Sequence, residues 1–136
     1  MLRLFLPLLG LAILTLTNSC QKEPIATDLD YQIEIIQPQD DHVHVGENLS
    51  IKVLFRETQG QPIYHARVRM VEKDGTQVLF DGPSPTFVNS QSGRYTFSEE
   101  VIMNVPKFSY WVLEASVWGE GEGPEVVRET MEFFVH

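Results

Sequence analysis

The chain has 136 residues, with 10 Lys or Arg against 19 Asp or Glu, so its formal charge is −9 with neutral His. Hydrophobic residues make up 43 % and charged residues 21 %, which fits one domain, is too apolar for a disordered chain and lacks the basic face that nucleic acid needs. The single cysteine can neither close a disulfide within the chain nor build a zinc cluster.

Arg3 supplies a short positive start, and Leu4 to Thr17 is an apolar run rich in Leu. As a helix this run would span about 21 Å, short of the roughly 30 Å hydrocarbon core. Residues 1–19 are therefore read as a secretory signal rather than a membrane span. The run ends on Leu16-Thr17-Asn18-Ser19-Cys20, with a small residue directly before the only cysteine. This resembles a bacterial lipobox, in the looser form found among Bacteroidota-type lipoproteins. The resemblance implies cleavage between Ser19 and Cys20, diacylglycerol on the Cys20 thiol, and a fatty acyl chain such as palmitate on the new amine. An ordinary signal with an incidental cysteine is the alternative, although an unpaired thiol is a liability in an oxidising compartment. Several acyl chains, at about 0.8 kcal/mol per buried CH₂, hold a protein where one chain is marginal.

Gln21-Lys22-Glu23 resembles the export signal that sends Bacteroidota lipoproteins to the cell surface. Pro24 follows at once, so the match is partial, and a plain polar tether is the other reading. Residues 20–30 lack periodicity and read as a flexible leash. Removal of 19 residues from 136 leaves 117, and loss of Arg3 takes the charge to −10. Such a domain stands off an anionic lipid surface instead of lying on it.

From Tyr31 onward the dominant period is two, the mark of half-buried strands. Tyr31 to Ile35 alternates and stops before Pro38. Leu49, Ile51, Val53 and Phe55 form one face of the next strand. Tyr64, Ala66, Val68 and Met70 then alternate with His65, Arg67, Arg69 and Val71. Asp74-Gly75 predicts a hairpin, because both residues tolerate positive φ, with Thr76 to Phe80 returning. Asp81-Gly82-Pro83-Ser84-Pro85 breaks that strand. Tyr95 and Phe97 open another, which continues through Val101, Met103 and Val105 across an expected bend at Glu99-Glu100. In Tyr110 to Trp118, Trp111, Leu113, Ala115 and Val117 share one face, and Tyr110, Val112, Glu114, Ser116 and Trp118 the other. A loop rich in Gly and Glu leads to the last strand, where Val127, Met131, Phe133 and Val135 form the apolar side.

Seven to eight strands over residues 31–136 fit an antiparallel immunoglobulin-like β-sandwich; periodicity alone also allows a small barrel. Ile33-Glu34-Ile35 with Pro38, then Val43 to Val53, then Phe133 to Val135 resemble the layout of bacterial immunoglobulin-like domains. That resemblance covers nearly the whole domain and implies the fold, not a function.

His42-Val43-His44 is the most metal-like motif. A strand would turn both imidazoles to one face, about 7 Å apart. Asp40, Asp41 and Glu47 are near in sequence, and His65 or His136 would have to join from other strands. Glu120, Glu122 and Glu125 are a weak match to a calcium loop, and Glu99 and Glu100, being adjacent, would face opposite ways. Tyr110, Val112 and Trp118 form a candidate binding patch if their face is open; a central strand covered on both sides would close it. Arg67 and Arg69 are expected to pair with acids on a neighbouring strand. No nucleophile elbow, Walker loop, zincin helix or dinucleotide fingerprint occurs in the sequence, so neither catalysis nor a cofactor is expected. The expectation is a lipid-anchored outer-membrane protein, exposed at the cell surface or facing the periplasm, whose domain binds a protein or glycan. The alternative is a Cu- or Zn-binding lipoprotein using His42 and His44.

Overall fold

In β3, Leu49, Ile51, Val53 and Phe55 are buried, while Ser50 and Lys52 between them and Arg56 after them are exposed and Leu54 is half-buried. This alternation places one face of each strand on a core and the other in water. The computed structural model describes residues 30–120 and 126–136. Among them nine strands follow in order: β1 Tyr31–Gln37, β2 His42–Val43, β3 Asn48–Glu57, β4 Ile63–Glu72, β5 Val78–Gly82, β6 Phe87–Ser90, β7 Arg94–Ile102, β8 Ser109–Trp118 and β9 Val127–Val135. They form a three-stranded sheet, β1-β3-β7, and a six-stranded sheet, β2-β9-β8-β4-β5, with β6 also paired to β4. A β-sandwich results, and its strand order is that of an immunoglobulin-like domain.

The count of nine exceeds the expected seven to eight because β2 and β6 are too short to show a period. The sandwich is also not wholly antiparallel, since β2 runs parallel to β9, His42 opposite Phe134 and Val43 opposite Val135. The bend expected at Glu99-Glu100 is absent. Strand β7 pairs in unbroken register there, Ile51 with Glu99 and Ser50 with Glu100. Glu99 therefore falls in the core-facing set with Phe97 and Val101 yet stays exposed, at the edge of its sheet. A charge in that position discourages a further strand from adding.

The hairpin at Asp74-Gly75 forms, with Met70 opposite Phe80 and Val71 opposite Val78. Its returning strand begins at Val78 rather than Thr76, and neither Asp74 nor Gly75 has positive φ. Gly75 instead lies against the flexible carboxylate end of Glu72, which a Cβ there would push aside. In β4 the inward set begins at Ile63, fully buried, with Tyr64 only half-buried. A register irregularity between Ile63 and His65 produces the shift.

The core lies between the sheets. Trp111, Leu113, Ala115 and Val117 of β8 and Phe133 and Val135 of β9 meet Ile51, Val53 and Phe55 of β3 in one buried cluster. On the solvent side of the large sheet, Arg69 Nε donates to Glu114 Oε2 at 2.6 Å and Arg67 Nη2 to Asp81 Oδ2 at 2.7 Å. The arginines thus pair with acids on β8 and β5.

The Asp81 carboxyl is held below the usual carboxylate range by the Arg67 hydrogen bond, against partial burial that works the other way. A depressed folded-state value means the pair stabilises the fold above the ordinary Asp range near pH 4. That contribution disappears as the pH falls through the folded-state value. Both side chains are well exposed, so Asp81→Asn should cost only about 0.5 kcal/mol at pH 7. Melting curves of parent and variant should converge by about pH 2; an offset that persists there would assign the effect to packing.

Candidate functional site

The even-numbered residues of β8 share the outer face of the large sheet, where Tyr110 is exposed, Val112, Glu114 and Trp118 are half-buried and Ser116 is buried, and they do not make one patch. Tyr110 and Trp118 lie eight residues apart, about 27 Å along a strand. Between them stand Val112, half-buried, and the Arg69–Glu114 pair. Each aromatic belongs to its own cluster.

At the Trp118 end, antiparallel register sets His65 opposite Trp118. The two rings stack 5.2 Å apart at 3°, and Phe87 lies 5.2 Å from His65 on β6. Thr86 Oγ1 is 3.5 Å from His65 Nδ1. His65 is therefore committed to this end.

The Tyr110 end is built by three strands. Parallel pairing of β2 with β9 puts His42, His44, Phe134 and His136 on the same outer face, and Tyr110 stands opposite Phe134 on β8. Tyr110 and Phe134 pack with ring centres 4.9 Å apart, and Phe108 lies 6.3 Å from Phe134. Lys73 Nζ sits 5.6 Å over the Tyr110 ring and donates to Glu132 Oε1 at 2.8 Å. The Glu132 bond and charge raise the Lys73 pKa above its ordinary value. A cleft of about 460 Å³ is lined by Asp41, His42, Tyr110, Glu132, Phe133 and Phe134.

Phe108 is the unexpected member. Its φ is +63°, a left-handed conformation that costs an L-residue about 1–2 kcal/mol. It is also 67 % exposed, so burial does not offset that cost. Its N–H donates to Val135 O at 2.7 Å, which fixes the loop, and Lys107 Nζ lies 5.0 Å over the ring. An exposed aromatic held in a strained backbone is a signature of a functional position. Sequence reasoning missed it because Lys107-Phe108-Ser109 carries no turn signal.

Of the remaining candidates, His136 joins His42 and His44, whereas His65 does not. The His44 and His136 ring centres are 4.4 Å apart and those of His42 and His136 5.6 Å, all packed edge to face. As the rings stand, no set of three or more His, Cys, Asp or Glu side chains among the described residues is arranged to hold a metal ion. Glu100 accepts a bond from Asn48 Nδ2 at 3.0 Å. Glu120 is exposed, and Glu122 and Glu125 lie outside the described residues, as do Ser19, Cys20, Gln21, Lys22 and Glu23. No helix among the described residues is long and apolar enough to cross a membrane.

No protein-family model matches the chain, and no curated protein matches it. The fold and the outer face of the large sheet are therefore what bears on its function.

Proposed function

We propose that this chain is a lipid-anchored outer-membrane protein of the cell envelope whose immunoglobulin-like domain binds a protein or glycan without catalysis. The observation that carries the binding reading is Phe108, exposed and strained beside Tyr110 and Phe134. Stability alone would favour glycine there. Aromatic side chains offer a large rigid contact area at low entropic cost, and the flanking Lys73, Glu132 and Asp41 supply polar contacts around them. The anchor reading rests on the resemblance of the residues around Cys20 to a lipobox, with Gln21, Lys22 and Glu23 as a surface-export signal.

One experiment addresses both parts. Wild type, Cys20→Ser and Phe108→Gly are expressed in the native envelope with labelled palmitate, cross-linked, fractionated and captured. Wild type should take up label, sediment with outer membranes and carry a cross-linked partner. Cys20→Ser should be unlabelled and soluble. Phe108→Gly should remain anchored, hold its stability within about 1 kcal/mol, and lose the partner. A Cys20→Ser protein that sediments unchanged removes the anchor, and a Phe108→Gly protein that keeps its partner removes the patch.

A further inference from the structure

We infer that the cleft beside Tyr110 and Phe134 receives a lysine side chain from a basic segment of a partner protein, an inference that rests on the binding reading of the same face. The cleft, about 460 Å³, is of the size that takes a small ligand or a single side chain. Its lining holds two carboxylates, Asp41 and Glu132, and two aromatic rings, Tyr110 and Phe134, but no lysine or arginine. A carboxylate beside the face of an aromatic ring attracts an organic cation.

The cluster already shows this preference with its own side chains. Lys73 Nζ lies 5.6 Å over the Tyr110 ring and Lys107 Nζ 5.0 Å over the Phe108 ring. No other such pair occurs among the described residues. Phe134 neighbours both aromatics, its ring centre 4.9 Å from that of Tyr110 and 6.3 Å from that of Phe108. Among the described residues no lysine or arginine lies over it.

The two acids differ in what answers them. Glu132 accepts from Lys73 Nζ at 2.8 Å. Asp41 is 68 % exposed, and its one ion-pair contact among the described residues is the His42 ring, Oδ1 to Nε2 at 3.7 Å. Phe134 N–H donates to Asp41 O at 2.8 Å, so the main chain holds this acid and this ring side by side. A lysine satisfies both, laying its apolar stem along the rings while the ammonium reaches Asp41. The formal charge of −9 steers a basic partner toward the domain. A neutral glycan gains nothing from that field and an acidic one is repelled by it, which favours a protein.

Wild type, Asp41→Asn and Phe108→Gly in the native envelope are treated with a water-soluble carbodiimide, which joins a carboxylate to a lysine amine in contact with it. Linked peptides are read by mass spectrometry, with the Glu132–Lys73 link within the chain as internal standard. Wild type should also show Asp41 joined to a lysine of a second protein, and neither variant should. A synthetic peptide carrying that lysine is then titrated calorimetrically onto the full chain with Cys20→Ser. Acetylation of the peptide lysine, or Asp41→Asn, should weaken binding by about tenfold or more. Asp81→Asn, which removes an equal charge beside Arg67, should leave it within about twofold. The lysine site is overturned, and the binding patch stands, if Phe108→Gly loses a partner that is a glycan or is never linked through Asp41. An affinity indifferent to acetylation, or a peptide that does not bind, overturns it equally. A partner kept by Phe108→Gly and not linked through Asp41 removes the patch and the lysine site together.

Discussion

Trp111→Ala should cost about 3–5 kcal/mol, a large part of the roughly 5–15 kcal/mol that holds a domain of this size together. Trp111 is fully buried on β8, the middle strand of the order β2-β9-β8-β4-β5 in the large sheet. Its cross-strand partners are Glu72 on β4 and Phe133 on β9. The indole therefore plugs the core at the end where the Tyr110 cluster lies on the other face. Its Nε1 donates to Ser109 Oγ at 2.9 Å, and Ser109 Oγ donates in turn to Pro106 O. Truncation removes the core volume and the first link of a chain that steadies the loop carrying Phe108. With a urea dependence of about 2 kcal/mol per molar, the unfolding midpoint should fall by roughly 2 M. Trp111→Phe retains most of the ring, forfeits the Ser109 bond, and should cost about half as much. Equal losses in the two variants would locate the effect in the hydrogen bond rather than the volume.

The long strands were legible because each keeps one face in the core. The inward set of β8, Trp111 to Val117, can be read residue by residue, and the two-sheet fold follows from several such runs in series. What could not be read depends on pairing across distance. Strand β2 has two residues, too few for a period, and its partner β9 lies about ninety residues further on. Hence His42 and His44 can be recognised as a pair, but the choice between His65 and His136 as the third ring is a matter of register. The Tyr110-to-Trp118 face shows the same limit from another side. Alternation places these residues on one face correctly, yet not within reach of each other, since a strand separates them by its own length. Phe108 was illegible for a local reason, as a positive φ at a non-glycine residue leaves no compositional trace.

Glu57→Ala should cost about 2–3 kcal/mol, although the residue lies at the end of a strand and carries a charge. Glu57 is only 8 % exposed. Its carboxylate accepts the Gln59 N–H at 2.8 Å and also the Gln61 N–H. Its own N–H donates to Gly93 O at 2.8 Å, at a glycine whose φ of +72° is one L side chains rarely adopt and where a Cβ would lie 3.1 Å from Gln61 O. One carboxylate thus closes the loop by which the chain leaves the small sheet at β3 and enters the large sheet at β4. Hydrogen bonds to a charged group contribute about 1.5–3 kcal/mol each, and partial access of water to the loop brings two of them down to the stated total. Glu57→Gln keeps one acceptor oxygen and turns the other position into a donor, so it should recover part of the loss. Amide exchange at Gln59 and Gln61 should quicken in both variants, most in Glu57→Ala. A second readout is the Tyr31 phenol, whose pKa is raised first by burial and then by the Glu57 charge. Removing that charge should bring its spectroscopic titration to lower pH while burial keeps it above an ordinary tyrosine. If the titration moves and loop exchange does not, Glu57 acts only through its field. If exchange quickens as well, its carboxylate holds the loop between β3 and β4 through the Gln59 and Gln61 amides.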